Sequence, residues 1–331
     1  MSAPLSINQA ADLVDLSIQK IFQKMAEPEN VYSKYFNVRT TTDYYDKDSS
    51  LSGLTQADFV DENGVIFSDT PIQGYKKTYT QNMVGIIVPF TFQMWKFGIK
   101  KRDLTNVAKQ LKNSIAQVKE QLCAERIDNA WSTSYTHNGP SGNKTMSIAG
   151  GDGIAAASNA HTREDGGANM NNIVYDGTTY NLPFDYAAVK AAYRTAGLMV
   201  DPRGNPMIPN LDRLIVKKNS ANHFKAKEIL KAIKDGKIPE SNDNDGTGVN
   251  SFEIIPVSWL QNSNYWVMFD GSMLQDEYGF QFVESQPATV DPVNVVYKTK
   301  EIQTSATTLF DLGFNDVARS HVFSKGDSST P

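Results

Sequence analysis

LTNVAKQLKNSIAQVKEQL, residues 104–122, is the most regular stretch of the chain. Leu104, Val107, Leu111, Ile115, Val118 and Leu122 recur at steps of three and four, the spacing that stacks side chains on one face of an α-helix. Lys109, Lys112, Lys119 and Glu120 fall on its other faces, so the spacing predicts one buried stripe and a wet remainder. Continued from Asp103 to Trp131, the helix would run for about 42 Å at a rise of 1.5 Å per residue. It carries no residue set that does chemistry. It needs a surface to lie against, which the rest of the chain has to supply.

The chain has 331 residues, 40% of them apolar and 21% charged. That is enough for two compact domains or one elaborate one, and it excludes wholesale disorder. Lys and Arg number 32 against 37 Asp and Glu, a net charge of −5. Without a surplus of cations, tight general binding to nucleic acid is not expected. The single cysteine, Cys123, lies inside the helix and reads as a small apolar filler. MSAPLSINQAADLVDLSIQK at the start has no basic run and no unbroken apolar core, unlike a secretory signal. No window approaches the roughly 18 consecutive apolar residues of a spanning helix, which predicts a soluble chain.

Upstream of the long helix, Ile7, Ala11, Val14, Ile18, Ile21, Phe22 and Met25 recur at helical spacing ahead of Pro28, predicting a short amphipathic helix. From Glu29 to Leu54 the periodicity dissolves, as in TTTDYYDKDSSLSG. This reads as an extended arm ordered from outside itself. FVDENGVIFSD, GYKKTYT and MVGIIVPFTF then read as the strands of a long hairpin or small meander, with a turn at Asn63-Gly64. Its last strand, Met83 to Phe92, is almost continuously apolar yet holds Pro89, which only an edge tolerates. An exposed apolar edge has to be covered by the same subunit or a neighbouring one.

Downstream, Thr133 to Asn181 is rich in Gly, Asn, Ser and Thr and reads as a long loop. A helix is expected over Phe184–Thr195 with Gly197 as its stop, a strand over Leu211–Lys218, and a helix capped by Ser220 running to about Lys234. FEIIPV, YWVMFD and FQFVE follow as strands of a mixed α/β module bounded near Pro183 and Pro287. Val293–Lys300 and Ser320–Lys325 read as strands around LFDLGFNDVA.

Motifs that carry chemistry are missing. His137, His161, His223 and His321 are scattered, without paired-ligand spacing. GPSGNKT, residues 139–145, lacks the Gly before Lys that a phosphate loop needs. SNDNDGTG, residues 241–248, puts Ser241 and Phe252 at the two ends of a calcium loop that require acids. The pairs Asp61-Glu62 and Asp276-Glu277 are adjacent in sequence and read as solvated turns. No catalytic, cofactor-binding or metal-ligating residue is assigned.

The order of segments resembles the major capsid (head) proteins of tailed bacteriophages. The likeness runs through GVIFSDTPIQGYKKTYTQNMVGIIVPFTFQMWK, the helix to Trp131, DGIAAASNAHTREDGGANMNN, DPRGNPMIPNLDRLIVKKNSANHFKAKEIL, FEIIPVSWLQNSNYWVMFD and LFDLGFNDVARSHVFSKG. It implies an α+β capsid fold with an N-terminal arm (1–55), an extended β-hairpin or E-loop (56–97), a peripheral domain (98–185 and 291–331, spine helix 103–131) and an α/β axial domain (186–290). It further implies a non-enzymatic shell subunit without cofactors. Pentamers and hexamers of it would form an icosahedral shell around phage double-stranded DNA, in the virion, after assembly in the host cytoplasm.

The resemblance further implies portal and cement proteins as partners and either a separate scaffolding protein or none, with only weak, non-specific contact to the DNA and none to a membrane. A scaffold fused in front of the hairpin is not expected, since only about 55 residues precede it. The residues expected to hold neighbouring subunits are Met83, Ile86, Ile87, Val88, Phe90 and Phe92, with Lys76 and Lys77 as charged contacts on the companion strand. Two alternatives stay open: an encapsulin-like bacterial compartment shell, and an α/β enzyme or binding protein with a site around His161, Arg163 and Glu164.

Overall fold

A computed structural model describes residues 18–24, 30–51, 54, 56–60, 62, 64–71, 73–91, 93, 101–235, 251–275 and 278–331. The strands in chain order are β1 (Asn37–Thr40), β2 (Tyr45–Leu51), β3 (Gln73–Thr80), β4 (Asn82–Thr91), β5 (Ser134–Gly139), β6 (Gly142–Ser147) and β7 (Arg213–Lys217). They continue with β8 (Glu253–Val257), β9 (Trp266–Phe269), β10 (Phe280–Val290), β11 (Asn294–Val296), β12 (Glu301–Phe314) and β13 (His321–Ser324).

The long helix runs from Lys101 to Asp128, 28 residues. It ends earlier than Trp131 because the chain tightens there: the Ala130 amide donates to the Ile127 carbonyl and that of Ser132 to Asn129. Leu111, Ile115 and Leu122 are buried as the periodicity predicts, while the side chain of Leu104 lies outside the described residues. Two lysines expected to be wet, Lys112 and Lys119, are buried instead. Each lays its stem on apolar surface and its ammonium over a ring, Lys112 on Phe22 and Lys119 on Phe282 and Phe310. The covering surface is wider than one stripe.

That surface is a five-stranded sheet centred on β12. β10 and β11 pair in tandem along one edge of β12, and β4 pairs antiparallel along the other, from Asn82 opposite Phe310 to Thr91 opposite Glu301. Inward-facing Ile302, Thr304, Ala306 and Thr308 of β12 are buried. Buried threonines in the central strand blunt its hydrophobic signal, which is why 301–314 does not read as one long strand. The β10 ladder breaks between Gln286 and Thr289, around Pro287, which has no amide to donate.

Pairing corrects two expectations. GYKKTYT and MVGIIVPFTF do not form a hairpin with each other; β3 pairs with β2, and β4 with β12. Nor is the 30–51 segment an arm without a core. β1 joins β10 in parallel, and Tyr32, Tyr35 and Phe36 are buried in the main apolar cluster. A polar, aperiodic stretch can still be internal when three large rings anchor it. Of the expected N-terminal helix only 18–24 is described; it is helical there, and Ile18 and Phe22 pack on Phe90, Ala108, Leu111 and Ala306.

A second sheet, β13-β9-β7-β8, forms the middle layer of the molecule. Ile215, Ile255, Val267 and Phe269 face the cluster shared with the long helix and the first sheet. Leu214, Val216, Trp266, Met268 and Val322 face the helices Tyr186–Ala196 and Ala221–Lys234. Burial on both faces explains the unbroken apolar runs LIV in β7 and WVMF in β9. Asp185 caps the first helix by accepting from the Ala188 amide, and Ser220 caps the second by accepting from that of His223.

Strand pairing crosses the expected domain limits at two places. β10, within 186–290, belongs to the first sheet, and β13, within the C-terminal part of the peripheral domain, belongs to the second.

Candidate inter-subunit interface

β4 is rich in β-branched residues, which favour a pleated strand. Among the described residues it pairs with β12 alone, which leaves Pro89 at an edge as its chemistry requires. Side chains alternate across a strand. Val84, Val88 and Phe90 point toward the long helix and are half-buried or buried, whereas Met83 and Ile87 point outward, 69% and 61% exposed.

Two members of the expected contact set are displaced by this geometry. Phe90 is buried in its own subunit against Ile18, Ala108 and Ile302. Lys77 is half-buried and spends its ammonium on the Ala149 carbonyl at 2.5 Å; burial and then the Arg126 charge hold its pKa below the ordinary value. Phe92 lies outside the described residues. Lys76 is exposed, and Val88 is half-buried.

Ile86 shares the inward row with Val84 and Val88, yet it is 40% exposed. The reason is a groove of about 390 Å³ at the start of β4. Ser114, Val118, Leu122 and Arg126, one ridge of the long helix at steps of four, form its floor. The β5–β6 hairpin forms the far wall with Pro140 and Met146. This hairpin occupies the stretch read as loop, because SYTHNG and GNKTMS offer almost no apolar alternation and both its faces are largely wet. It is held by polar bonds instead: His137 Nδ1 to Glu125 Oε2 at 2.8 Å, Lys144 Nζ to Asn82 Oδ1 at 2.7 Å, and Arg126 to the Ser147 carbonyl.

A second exposed element corrects the expectation of a strand at FVDENGVIFSD. The described residues from Leu54 to Pro71 form neither strand nor helix, although FVDENGVIFSD alternates like a strand. Phe59, Val65, Ile66 and Phe67 stand in water, Val65 at 96% exposure. Among the described residues the alternation has no partner strand. The return of this loop is pinned to the body: Arg203 Nη2 donates to the Thr70 carbonyl at 2.6 Å and pairs with Asp69, and Tyr75 OH bonds Thr162.

Among the described residues, chemistry is not gathered anywhere comparable. His161 pairs with Asp152 at 2.8 Å, Arg163 with Asp165, and Glu164 with Arg319 at 2.8 Å, so the three residues of the alternative site each serve a different partner. GPSGNKT is the turn and second strand of the β5–β6 hairpin, and no amide cradle forms. SNDNDGTG and the pair Asp276-Glu277 lie outside the described residues, as does Asp61. Among the described residues no group of three His, Cys, Asp or Glu could hold a metal ion, and no helix is long and apolar enough to cross a membrane.

The family model described as phage capsid protein matches residues 74–316, from β3 through the turn after β12. The chain belongs to the phage capsid protein family. No curated protein matches the sequence. Among solved structures, the capsid chain of an empty GTA particle is 9% identical over 90% of this capsid chain and 91% of that one, with a TM-score of 0.52. The head structure of Helicobacter pylori bacteriophage KHP40 is 9% identical over 92% and 93%, with a TM-score of 0.50. The Mycobacterium phage Cain chain is 16% identical over 99% and 100%, at 0.49. At such identities the first two establish a shared α+β capsid fold, and family membership makes this a structural component of the virion.

Proposed function

We propose that this capsid protein is the major shell subunit, assembling as pentamers and hexamers into an icosahedral shell around double-stranded phage DNA, with no reaction and no cofactor of its own. The observation that carries this is the pair of apolar surfaces the subunit leaves uncovered: the outer row of β4 and the loop at 54–71. Single exposed apolar residues are ordinary, but a contiguous row on an unpaired strand edge invites another chain. Contacts between unlike surfaces close into rings when the rotation allows.

Met83, Ile86 and Ile87 would supply the attraction between subunits at about 25 cal/mol per Å² buried, with Val88 behind them and Lys76 as a charged contact. Assembly would take place in the host cytoplasm, with separate scaffolding, portal and cement proteins as partners. A net charge of −5 suits a wall that touches packaged DNA weakly, since tight phosphate binding would hinder filling and release. We divide the subunit into an arm, an extended loop, a peripheral part carrying the long helix with β10 and β12, and an axial part that includes β13.

Negative-stain electron microscopy and light scattering of the concentrated protein test the reading. Uniform closed shells or rings of subunits are expected. A monodisperse monomer at high concentration, with and without phage lysate proteins, would overturn it.

A further inference from the structure

We propose that the exposed face of the helix Ala221–Lys234 is where the shell wall touches packaged duplex DNA, with Lys227, Lys231 and Lys234 set against phosphates. The inference rests on the shell reading and gives its weak DNA contact a place on the subunit.

The chain carries −5 overall, but its charge is unevenly spread. Between Lys217 and Asp235 six lysines stand against two acids, Glu228 and Asp235. The helix turns Ala226 and Ile229 toward the second sheet. On the side facing away, Phe224, Lys227, Lys231 and Lys234 follow one another at steps of three and four, all exposed. Lys217 and Lys225 spend their ammonium groups on the Gln261 and Phe184 carbonyls. Lys218, Lys227, Lys231 and Lys234 enter no ion pair among the described residues.

The Phe224 ring lies 5.9 Å from the Lys227 ammonium, so the large apolar side chain on this face belongs to the cationic row rather than to a greasy patch. The surplus charge is felt inside the fold. His223 has its pKa lowered by burial first, then by Lys227 and Lys218. Its ring accepts from the Asn219 amide at 3.1 Å and offers the lysines no negative partner.

A uniform polyanion fits such a row. From Lys227 to Lys234 it spans about 10 Å at 1.5 Å per residue, a length of duplex that carries about six phosphates at one charge per 1.7 Å. Releasing a few counterions per subunit is weak alone and adds up along a DNA that meets many copies. The acidic remainder of the chain repels phosphate, which confines the contact to this face. The face is also clear of the surface assigned to subunit contact, because β4 edges the first sheet while this helix packs on the far side of the second.

The test is lysine acetylation of wild-type phage heads, read by mass spectrometry. With a small N-hydroxysuccinimide ester, Lys227, Lys231 and Lys234 should react several-fold more slowly in filled heads than in heads whose DNA has been released and digested. Lys227→Gln, Lys231→Gln and Lys234→Gln combined keep good helix formers on an exposed face. In dissociated subunits they should reduce the slope of log K against log salt for a short duplex by about 2–3. Equal reactivity in filled and emptied heads, or an unchanged slope, would overturn the inference and leave the shell reading standing. Labelling of these lysines in filled heads by a polymer ester too large to cross the wall would do the same, by placing the face outside. A wild-type protein that forms no heads would remove both.

Discussion

Lys119 Nζ on the long helix lies 2.5 Å from Glu284 Oε1 on β10, with both side chains close to fully buried. Thr308 of β12 donates to the same carboxylate, and the ammonium sits over the Phe282 and Phe310 rings. One ion pair thus ties helix to sheet at the middle of the first layer. Removing one member strands the other in low dielectric. Lys119→Met should lower subunit stability by about 3–5 kcal/mol, whereas Lys119→Met with Glu284→Leu should recover most of that loss. Urea denaturation of unassembled subunits measures both; equal losses in the single and double variants would contradict this account.

Glu120, the next residue, accepts from the amides of Val31 at 2.5 Å and Tyr32 at 3.2 Å. It fastens the segment that delivers Tyr32, Tyr35 and Phe36 to the core. Glu120→Ala should cost about 1–3 kcal/mol by removing the carboxylate that accepts from two amides. Hydrogen exchange at residues 31–36 should accelerate, with little change in the second sheet.

Two apolar residues of β4 should behave in opposite ways. Ile87 faces water and Phe90 is buried. Ile87→Asp should leave subunit stability within about 0.5 kcal/mol while shells fail to form. Phe90→Ala should cost about 3–5 kcal/mol in the subunit itself. Thermal melts paired with electron microscopy separate the two effects, and normal shells from Ile87→Asp would take the outer row of β4 out of the interface.

His321 is fully buried, stacked on Phe269 and edge-on to Phe280, and burial pushes its pKa down to about 3. In the folded subunit the ring is neutral, while in the unfolded chain it titrates near 6.5. The unfolded state therefore binds the extra proton first. The group's contribution is complete above about pH 6.5 and is lost as pH falls toward 3, by about 1.4 kcal/mol per pH unit. His321→Phe should flatten that part of the stability profile relative to wild type. Parallel profiles for the two proteins would mean that His321 is not the titrating group.

What the sequence made legible follows from local physics. The three-and-four spacing around Leu111, Ile115 and Leu122 requires a helix with a buried face, Ser220 requires a helix start, and Pro89 requires an edge. Each is a property of a few neighbouring residues. β4 was therefore readable as an apolar edge strand, but not which of Met83, Ile86, Ile87, Val88 and Phe90 its own subunit would cover.

What the tertiary structure decided are the properties that depend on a distant partner. Whether β4 pairs with β3 or β12, whether β13 joins the second sheet, and whether the polar β5–β6 hairpin forms at all are settled by segments up to hundreds of residues away. Lys119 reads as a surface charge until Glu284 arrives from β10 to receive it. A groove has no sequence signature because it is the space left between three elements. Burial alternation tells which way Ile86 points, but only packing shows that the described residues of its own subunit leave it partly open there.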